Sequence, residues 1–208
     1  MNGAGPQLPA HAPGMRIGLF GGSFNPPHAG HRHATLLAMQ RLRLDRVWWL
    51  VTPGNPLKHN EGLPALPLRL AAAAALARHP RIAVTGFEAA IGTRYTYDTL
   101  AWLKRHCPGV RFVWIMGADN LAHFDRWQRW RDIAALMPIA IVDRPAATLR
   151  AAGGKAAQAL ARWRLDETAA GLLATRAPPA LVFLHGPRSA LSSTQLRALG
   201  AKLTASSG

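Results

Sequence analysis

Two histidines, His28 and His31, follow a Gly-Gly pair and a Pro-Pro pair in the segment 18–31, GLFGGSFNPPHAGH. We expect this segment to lead from a buried strand into a helix, because glycines allow a sharp turn and a close approach of the backbone to a ligand, and prolines stiffen a loop. The first turn of a helix favours phosphate through its unpaired N–H groups and its positive dipole end. Two imidazoles on that turn share a face and can donate to phosphate oxygens together. The pattern predicts a phosphate site, and no Cys, Asp or Glu adjoins the pair to complete a zinc site.

A second group of candidate phosphate ligands occurs near the carboxyl end of the chain. Ser192, Ser193 and Thr194 open a predicted helix, and Arg197 follows one turn later. Hydroxyls and free N–H groups at a helix start, with a guanidinium nearby, can hold phosphate oxygens. By itself the segment also fits an ordinary helix cap, because serine and threonine are favoured N-cap residues.

Short apolar runs alternate with helical patterns, and this alternation places both groups. The predicted strands are Met15–Phe20, Val47–Val51, Ile82–Val84, Phe112–Met116, Ile139–Val142 and Leu181–Leu184. The predicted helices are His31–Leu44, Leu66–Arg78, Tyr97–His106, Thr148–Arg176 with a break at its Gly-Gly pair, and one from Ser193 onward. Continuously apolar strands between helices are typical of a parallel sheet. We therefore predict an α/β fold with a single doubly wound, mostly parallel sheet and helices on both faces. Ligands of such folds bind beyond the carboxyl ends of the strands.

Composition bounds the class of protein. The chain has 208 residues, of which 49% are hydrophobic. This composition excludes a chain that is disordered throughout. We expect a mobile leader over residues 1–14 and one domain over residues 15–203. No apolar run is long enough for a membrane span. The single cysteine, Cys107, excludes an internal disulfide, so we expect a cytoplasmic protein.

The net charge of +15 indicates anionic partners. A basic nucleic-acid-binding module is one alternative, since it would explain this charge without any catalysis. Such a module should concentrate its basic residues on one face and expose aromatic side chains. Here the arginines are scattered, and most tryptophans stand in apolar runs such as Val47–Leu50. We therefore expect no nucleic acid and no membrane as partners, while the charge alone does not say which anionic molecule binds.

The segment GSFNPPHAGH resembles the HxGH signature of the nucleotidyltransferases related to class I aminoacyl-tRNA synthetases, and LSSTQLR resembles their ISSTxIR motif. Three more segments resemble bacterial nicotinate-nucleotide adenylyltransferases. They are 52–58, TPGNPLK, which is similar to PxxNPxK; 93–100, TRYTYDTL, which is similar to SYTxDTL; and 116–130, with a GxD motif and a DRW motif. Arg94 and Tyr97 depart from the family pattern.

The resemblance implies a Rossmann-like nucleotidyltransferase fold and the joining of nicotinate mononucleotide to ATP, which gives nicotinate adenine dinucleotide and pyrophosphate in NAD biosynthesis. It implies catalytic roles for His28, His31, Lys58 and Arg197. It implies that these residues bind ATP: Gly21, Gly22, Ser23, Phe24, His28, His31, Gly117, Asp119, Ser192, Ser193, Thr194 and Arg197. It implies that these bind the mononucleotide: Asn25, Asn55, Lys58, Tyr95, Thr96, Trp127 and Gln128. Mg²⁺ is expected to enter with ATP, without a metal site on the protein.

The resemblance leaves the substrate open, and each of the two tryptophans in segment 116–130 fits either a ligand contact or core packing. An adenylyltransferase for nicotinamide mononucleotide or pantetheine phosphate shares the histidine and serine motifs, but it should lack the NPxK and DRW segments. Trp127 is expected to stack on the electron-poor pyridinium ring. Trp130 is expected to pack in the core instead.

Overall fold

The frame of the molecule is a parallel sheet. The computed structural model describes residues 6–54, 62–143 and 153–186. Seven strands lie within these ranges: β1 (Arg16–Gly22), β2 (Arg46–Val51), β3 (Ile82–Thr85), β4 (Arg111–Gly117), β5 (Ile139–Val142), β6 (Arg164–Leu165) and β7 (Leu181–Leu184). They are ordered β3-β2-β1-β4-β5-β7-β6, and every neighbouring pair is parallel. The predicted parallel sheet is confirmed.

Helices connect most of these strands. The described α-helices are α1 (Ala29–Arg41), α2 (Leu66–Ala77), α3 (Phe87–Ala90), α4 (Thr96–His106), α5 (Ala118–Leu121), α6 (Trp130–Leu136) and α7 (Lys155–Leu160). Three 3-10 helices span Phe124–Arg126, Ala161–Trp163 and Glu167–Thr175. No helix in the described ranges is long and apolar enough to cross a membrane.

Both faces of the sheet are apolar because side chains alternate between them along each strand. Leu19 of β1 lies on the face covered by α4 and α6, and it pairs with Trp48 and Trp114 in the neighbouring strands. Phe20 lies on the opposite face, which α1 and α2 cover, and it pairs with Trp49. Burial on both faces explains why the strands read as unbroken apolar runs.

The order of the strands reverses beside β1. The chain proceeds from β1 to β2 and β3 on one side, and then returns to β4 and β5 on the other side. In sheets of this type the connections diverge at such a point and leave a crevice at the carboxyl ends. This geometry places the loops after β1 and β4 at the expected position of a ligand.

The prediction of helix over Thr148–Arg176, broken only at the glycines, is wrong in its second half. Residues 164 and 165 form β6 and pair with Leu181 and Val182 of β7. The Asp166 carboxylate then accepts a hydrogen bond from the Thr168 N–H at 2.9 Å and starts a new 3-10 helix. The alanine content favoured helix, but strand pairing overrides this weak preference.

Residues 6–14 contact the domain. The N–H of Gly14 donates to the Gly109 oxygen at 2.8 Å, and the His11 ring meets the edge of Trp48 with centroids 5.7 Å apart. The leader over residues 1–14 and the domain over residues 15–203 stay predictions. The helix predicted from Ser193 lies outside the described residues.

Candidate active site

Gly21 and Gly22 end β1, and the structure gives each a neighbour. A Cβ on Gly21 would lie 2.5 Å from the Trp114 ring of β4, so any other residue would displace that ring. A Cβ on Gly22 would meet the Phe24 ring at 3.4 Å, which is an ordinary contact. The sequence argument explained the pair by the approach of a ligand. At Gly21 the packing of an aromatic ring is a further reason for glycine.

His28 and His31 lie together at the start of α1. His28 is the N-cap and is 4% exposed, and His31 is the third residue of the helix. The main-chain N–H of His28 donates to Nδ1 of His31 over 3.1 Å, and the ring centroids are 3.9 Å apart. An imidazole nitrogen that accepts a hydrogen bond carries no proton, so the neutral His31 ring holds its proton on Nε2. Nε2 is therefore the donor atom of His31.

A buried aromatic group holds the first turns of α1. The Phe24 ring stacks on Trp49 with centroids 4.9 Å apart and lies 4.9 Å from the His31 ring. Nε1 of Trp49 donates to the Thr35 hydroxyl at 2.7 Å, and that hydroxyl donates to the His31 carbonyl oxygen at 2.8 Å. Phe24, a predicted ATP-binding residue, is only 2% exposed, and its ring is part of this buried aromatic group.

Ser23 and Asn25 are half-buried in the same loop. The Ser23 carbonyl oxygen accepts a hydrogen bond at 3.0 Å from Arg69 of α2. Arg69 also donates at 2.7 Å to the Thr52 oxygen, which follows β2. Arg69 thus joins two of the predicted binding segments, although no sequence motif assigned it to the site.

Gly117 and Asp119 lie at the same edge of the sheet. Gly117 ends β4 and is the N-cap of α5, and Asp119 is exposed in the first turn of that helix. Strand β4 pairs in parallel with β1, with Arg16 opposite Arg111 and Phe20 opposite Ile115. The two strands therefore end beside each other. The structure thus brings the GxD motif next to the histidine loop.

The start of α4 carries two predicted mononucleotide ligands. Tyr95 is the N-cap and is 38% exposed, and Thr96 is the first helical residue. Beneath them the Thr99 hydroxyl donates to Oε1 of Glu88 at 2.9 Å and lies 2.9 Å from the Thr93 hydroxyl. Burial raises the pKa of Glu88 to about 7, and the hydrogen bond from Thr99 opposes part of this rise. These contacts fix the loop that enters α4.

Trp127 lies in the turn before α6. It is half-buried, and its ring packs edge-on against Phe124 and Trp114, with centroids 5.4 and 6.3 Å away. Gln128 is exposed. Trp130 is 7% exposed and packs against Phe124, as expected for a core residue.

Arg129 joins this turn to the start of α4. Its guanidinium carbon lies 3.6 Å from the centroid of the Tyr97 ring, and its Nε donates to Asp132 at 2.7 Å. Arg129 has a φ of 57°, the left-handed conformation that is uncommon for residues other than glycine. The pair brings the segments of Thr96 and Gln128 together on one face of the sheet.

Part of the predicted site is not described. Asn55, Lys58, Ser192, Ser193, Thr194 and Arg197 lie outside the described residues, so the structure does not place them. Within the described ranges, no group of three or more His, Cys, Asp or Glu side chains could hold a metal ion.

The chain is similar to proteins whose family is known. Residues 19–199 match the cytidylyltransferase-like family. A Methylorubrum extorquens protein named "Probable nicotinate-nucleotide adenylyltransferase" is 63% identical over 183 residues, which cover 88% of this chain and 99% of that protein. A Brucella suis protein of the same name is 57% identical over 183 residues, with 88% and 94% covered.

A solved structure has the same fold. The Plasmodium falciparum nicotinic acid mononucleotide adenylyltransferase complexed with NaAD matches with a TM-score of 0.63 over 88% of this chain and 83% of that chain. The sequence identity is 17%, so this likeness concerns the fold alone. It confirms the Rossmann-like nucleotidyltransferase fold.

Proposed function

The chain belongs to the nicotinate-nucleotide adenylyltransferase family, and we propose that the loop between β1 and α1 is its catalytic centre. The reaction joins nicotinate mononucleotide to ATP and gives nicotinate adenine dinucleotide and pyrophosphate, a step in NAD biosynthesis. One observation carries the assignment of the centre. It is the contact of the His28 and His31 rings at a helix N terminus, beside the strand reversal.

The nucleophile needs no general base. A phosphate oxygen of the mononucleotide is already ionised, and it attacks the α-phosphorus of ATP in line. A bond forms between that oxygen and the α-phosphorus. The bond from the α-phosphorus to the oxygen shared with the β-phosphate breaks, and pyrophosphate leaves with the electron pair. Catalysis therefore depends on positioning and on stabilisation of charge.

We assign this stabilisation first to the two histidines. Nε2 of His31 donates to a phosphate oxygen, because the His28 N–H occupies Nδ1. The main-chain N–H groups at the start of α1 add a positive dipole end at the same place. Preorganised donors of this kind stabilise developing negative charge without rearranging during the reaction.

The other phosphate and adenosine contacts follow the family motifs. Lys58 and Arg197 offset the developing charge, and Ser192–Thr194 hold the terminal phosphates. We place Gly117 and Asp119 near the adenosine ribose. Their position beside the β1 loop supports this assignment. Gly21, Gly22, Ser23 and Phe24 contribute main chain to the ATP site.

The pyridine end takes the mononucleotide. Trp127 stacks on the nicotinate ring, and the main-chain N–H groups of Thr96 and Gln128 donate to its carboxylate. Asn25, Asn55, Lys58 and Tyr95 complete the mononucleotide site. The stacked pair of Arg129 and Tyr97 supports this assignment because it holds the two segments together.

Mg²⁺ enters the reaction with ATP. Phosphate oxygens and water are ligands that Mg²⁺ prefers, and in this setting the ion neutralises phosphate charge. We also place the enzyme in the cytoplasm, in line with its buried free thiol at Cys107.

Labelled ATP tests the proposed reaction. The purified chain is incubated with nicotinate mononucleotide and ATP that carries label in the α- or the γ-phosphate. We expect the α-label in the dinucleotide and the γ-label in pyrophosphate, measured by chromatography, because the α-phosphorus is the reacting centre. An α-label that stays in AMP, or a faster reaction with pantetheine phosphate as acceptor, contradicts the proposal.

A further inference from the structure

Arg69 of α2 is a buried charged side chain to which the reaction above gives no role. It is 3% exposed, and all four of its hydrogen bonds go to main-chain carbonyl oxygens. Nε donates to Pro64 at 2.8 Å, Nη1 donates to Ser23 at 3.0 Å and Thr52 at 2.7 Å, and Nη2 donates to Pro53 at 3.1 Å. No Asp or Glu in the described part of the chain forms an ion pair with it.

These carbonyls belong to three separate segments. Ser23 lies in the histidine loop between β1 and α1, Thr52 and Pro53 directly follow β2, and Pro64 precedes α2. One further hydrogen bond connects the first two segments, from the Thr52 N–H to the Gly22 oxygen at 3.1 Å. The guanidinium and this bond together hold the histidine loop against the start of the TPGNPLK segment.

The bond to Ser23 also orients a peptide group. The peptide between Ser23 and Phe24 is trans, so its C=O and N–H point in opposite directions. Because Arg69 holds the oxygen, the Phe24 N–H points away from the guanidinium. Phe24 has a φ of 47°, which costs free energy in a residue with a side chain and therefore requires support from its surroundings.

Packing alone does not explain an arginine at this position. Burial of a charge is unfavourable unless hydrogen bonds compensate it, and burial lowers the pKa of the Arg69 guanidinium. The planar guanidinium directs its N–H groups to fixed points, whereas a lysine ammonium is a compact point charge on a flexible stem. The arrangement requires the several directed bonds that only arginine makes.

We propose that Arg69 is a positioning residue for adenylyl transfer, which acts by holding the histidine loop and the segment after β2 in one fixed arrangement. The Ser23–Phe24 peptide and the start of the TPGNPLK segment are then oriented before substrates bind. Preorganisation of this kind lowers the barrier because no rearrangement is needed during the reaction. This inference rests on the proposed function, since the loops that Arg69 joins are its phosphate and mononucleotide segments.

Two substitutions separate positioning from simple stability. Arg69→Lys keeps the charge but loses the planar set of directed N–H groups. Arg69→Met keeps much of the length but loses the charge. We expect kcat, measured per folded molecule at saturating substrates, to fall by about tenfold or more in both, because small misplacements of reacting groups cost rate steeply. Folded protein is measured by circular dichroism at the assay temperature, and KM is determined for ATP and for the mononucleotide.

Arg81→Ala is the matched control. Nη1 of Arg81 also donates to a carbonyl oxygen, that of Leu44 at 3.3 Å, but before β2 and away from the histidine loop. We expect its kcat and both KM values to equal those of the wild type. A rate lowered in the Arg69 variants and unchanged in this control supports positioning.

Two results overturn the inference. One is an Arg69→Lys enzyme whose kcat and KM values stay within about twofold of the wild type, since a lost transition-state interaction must lower kcat. The other is an Arg69→Met enzyme whose activity falls only in proportion to its folded fraction. If Arg69→Met does not fold, Arg69→Lys alone decides. A wild type that forms no dinucleotide refutes the proposed function instead, so the two failures are distinguishable.

Discussion

The two ends of the candidate site are built from different parts of the polypeptide. At the phosphate end, which is the loop over residues 21–31 with Arg69, the side chains of His28, Phe24 and Arg69 are buried, and the rings of His28 and Phe24 both lie against the ring of His31. At the pyridine end, which is the start of α4 and the turn at Trp127, Tyr95 and Gln128 are exposed. There the proposed contacts come from a half-buried ring and from main-chain N–H groups.

This difference determines what the sequence can reveal. Side-chain donors require particular residue types, so the phosphate end can be recognised in the sequence as a motif. A main-chain N–H is present in every residue except proline, so the pyridine end tolerates change. Arg94 and Tyr97 depart from the family pattern without removing a main-chain donor. We therefore expect substitutions at the phosphate end to change the rate, and those at the pyridine end to change the binding of one substrate.

The largest effect is expected at His31. His31→Ala removes the proposed donor to the reacting phosphate, so kcat should fall by about a hundredfold or more, as when an oxyanion-type donor is lost. Steady-state kinetics and thermal unfolding of the same preparation measure rate and fold together. His106→Ala is the control, since His106 is an exposed histidine that stacks on Trp102 with centroids 3.9 Å apart. Near-normal turnover in His31→Ala would remove the distinction between the two ends.

A smaller effect is expected at Trp127. Trp127→Ala should raise KM by about tenfold for nicotinate mononucleotide and also for nicotinamide mononucleotide. The reason is that stacking of a ring on an aromatic side chain contributes about 1–3 kcal/mol. KM for ATP should not change. Trp127→Phe keeps an aromatic face and controls for the lost packing on Phe124. Gln128→Ala should change these KM values little, because the proposed contact comes from its main chain. An equal rise in KM for ATP would show that Trp127 supports the whole site rather than its pyridine end.

The sheet could be predicted from the sequence because strands that are buried on both faces are continuously apolar. The sequence did not predict β6, since two residues between alanine-rich helices carry too little pattern to outweigh helix preference. At Gly21 it indicated only ligand approach as the reason for glycine, and it did not indicate the Trp114 ring of β4, which is far away in sequence but lies in the neighbouring strand. Such contacts join residues far apart in the chain, and local patterns do not contain them.

Arg69 shows a signal that was present in the sequence. Arg69, Ala73 and Ala77 are spaced by four residues, so they share one face of α2, and all three are buried. An arginine on the buried stripe of a helix indicates a buried partner, but spacing does not say which. The partners are carbonyl oxygens of three segments, and only the folded chain identifies them.

The preference between acid and amide mononucleotides tests the account most directly. Main-chain N–H groups donate to both oxygens of the nicotinate carboxylate, but they oppose the NH₂ group of nicotinamide, which is itself a donor. An unpaired buried donor costs about 1–3 kcal/mol. The lost attraction between the carboxylate charge and these dipoles adds to this cost. We therefore predict that kcat/KM of the wild type, measured for each mononucleotide with ATP, favours the acid by about a hundredfold or more. Equal use of the acid and the amide would contradict the account and make the chain a nicotinamide-type or dual-specificity enzyme.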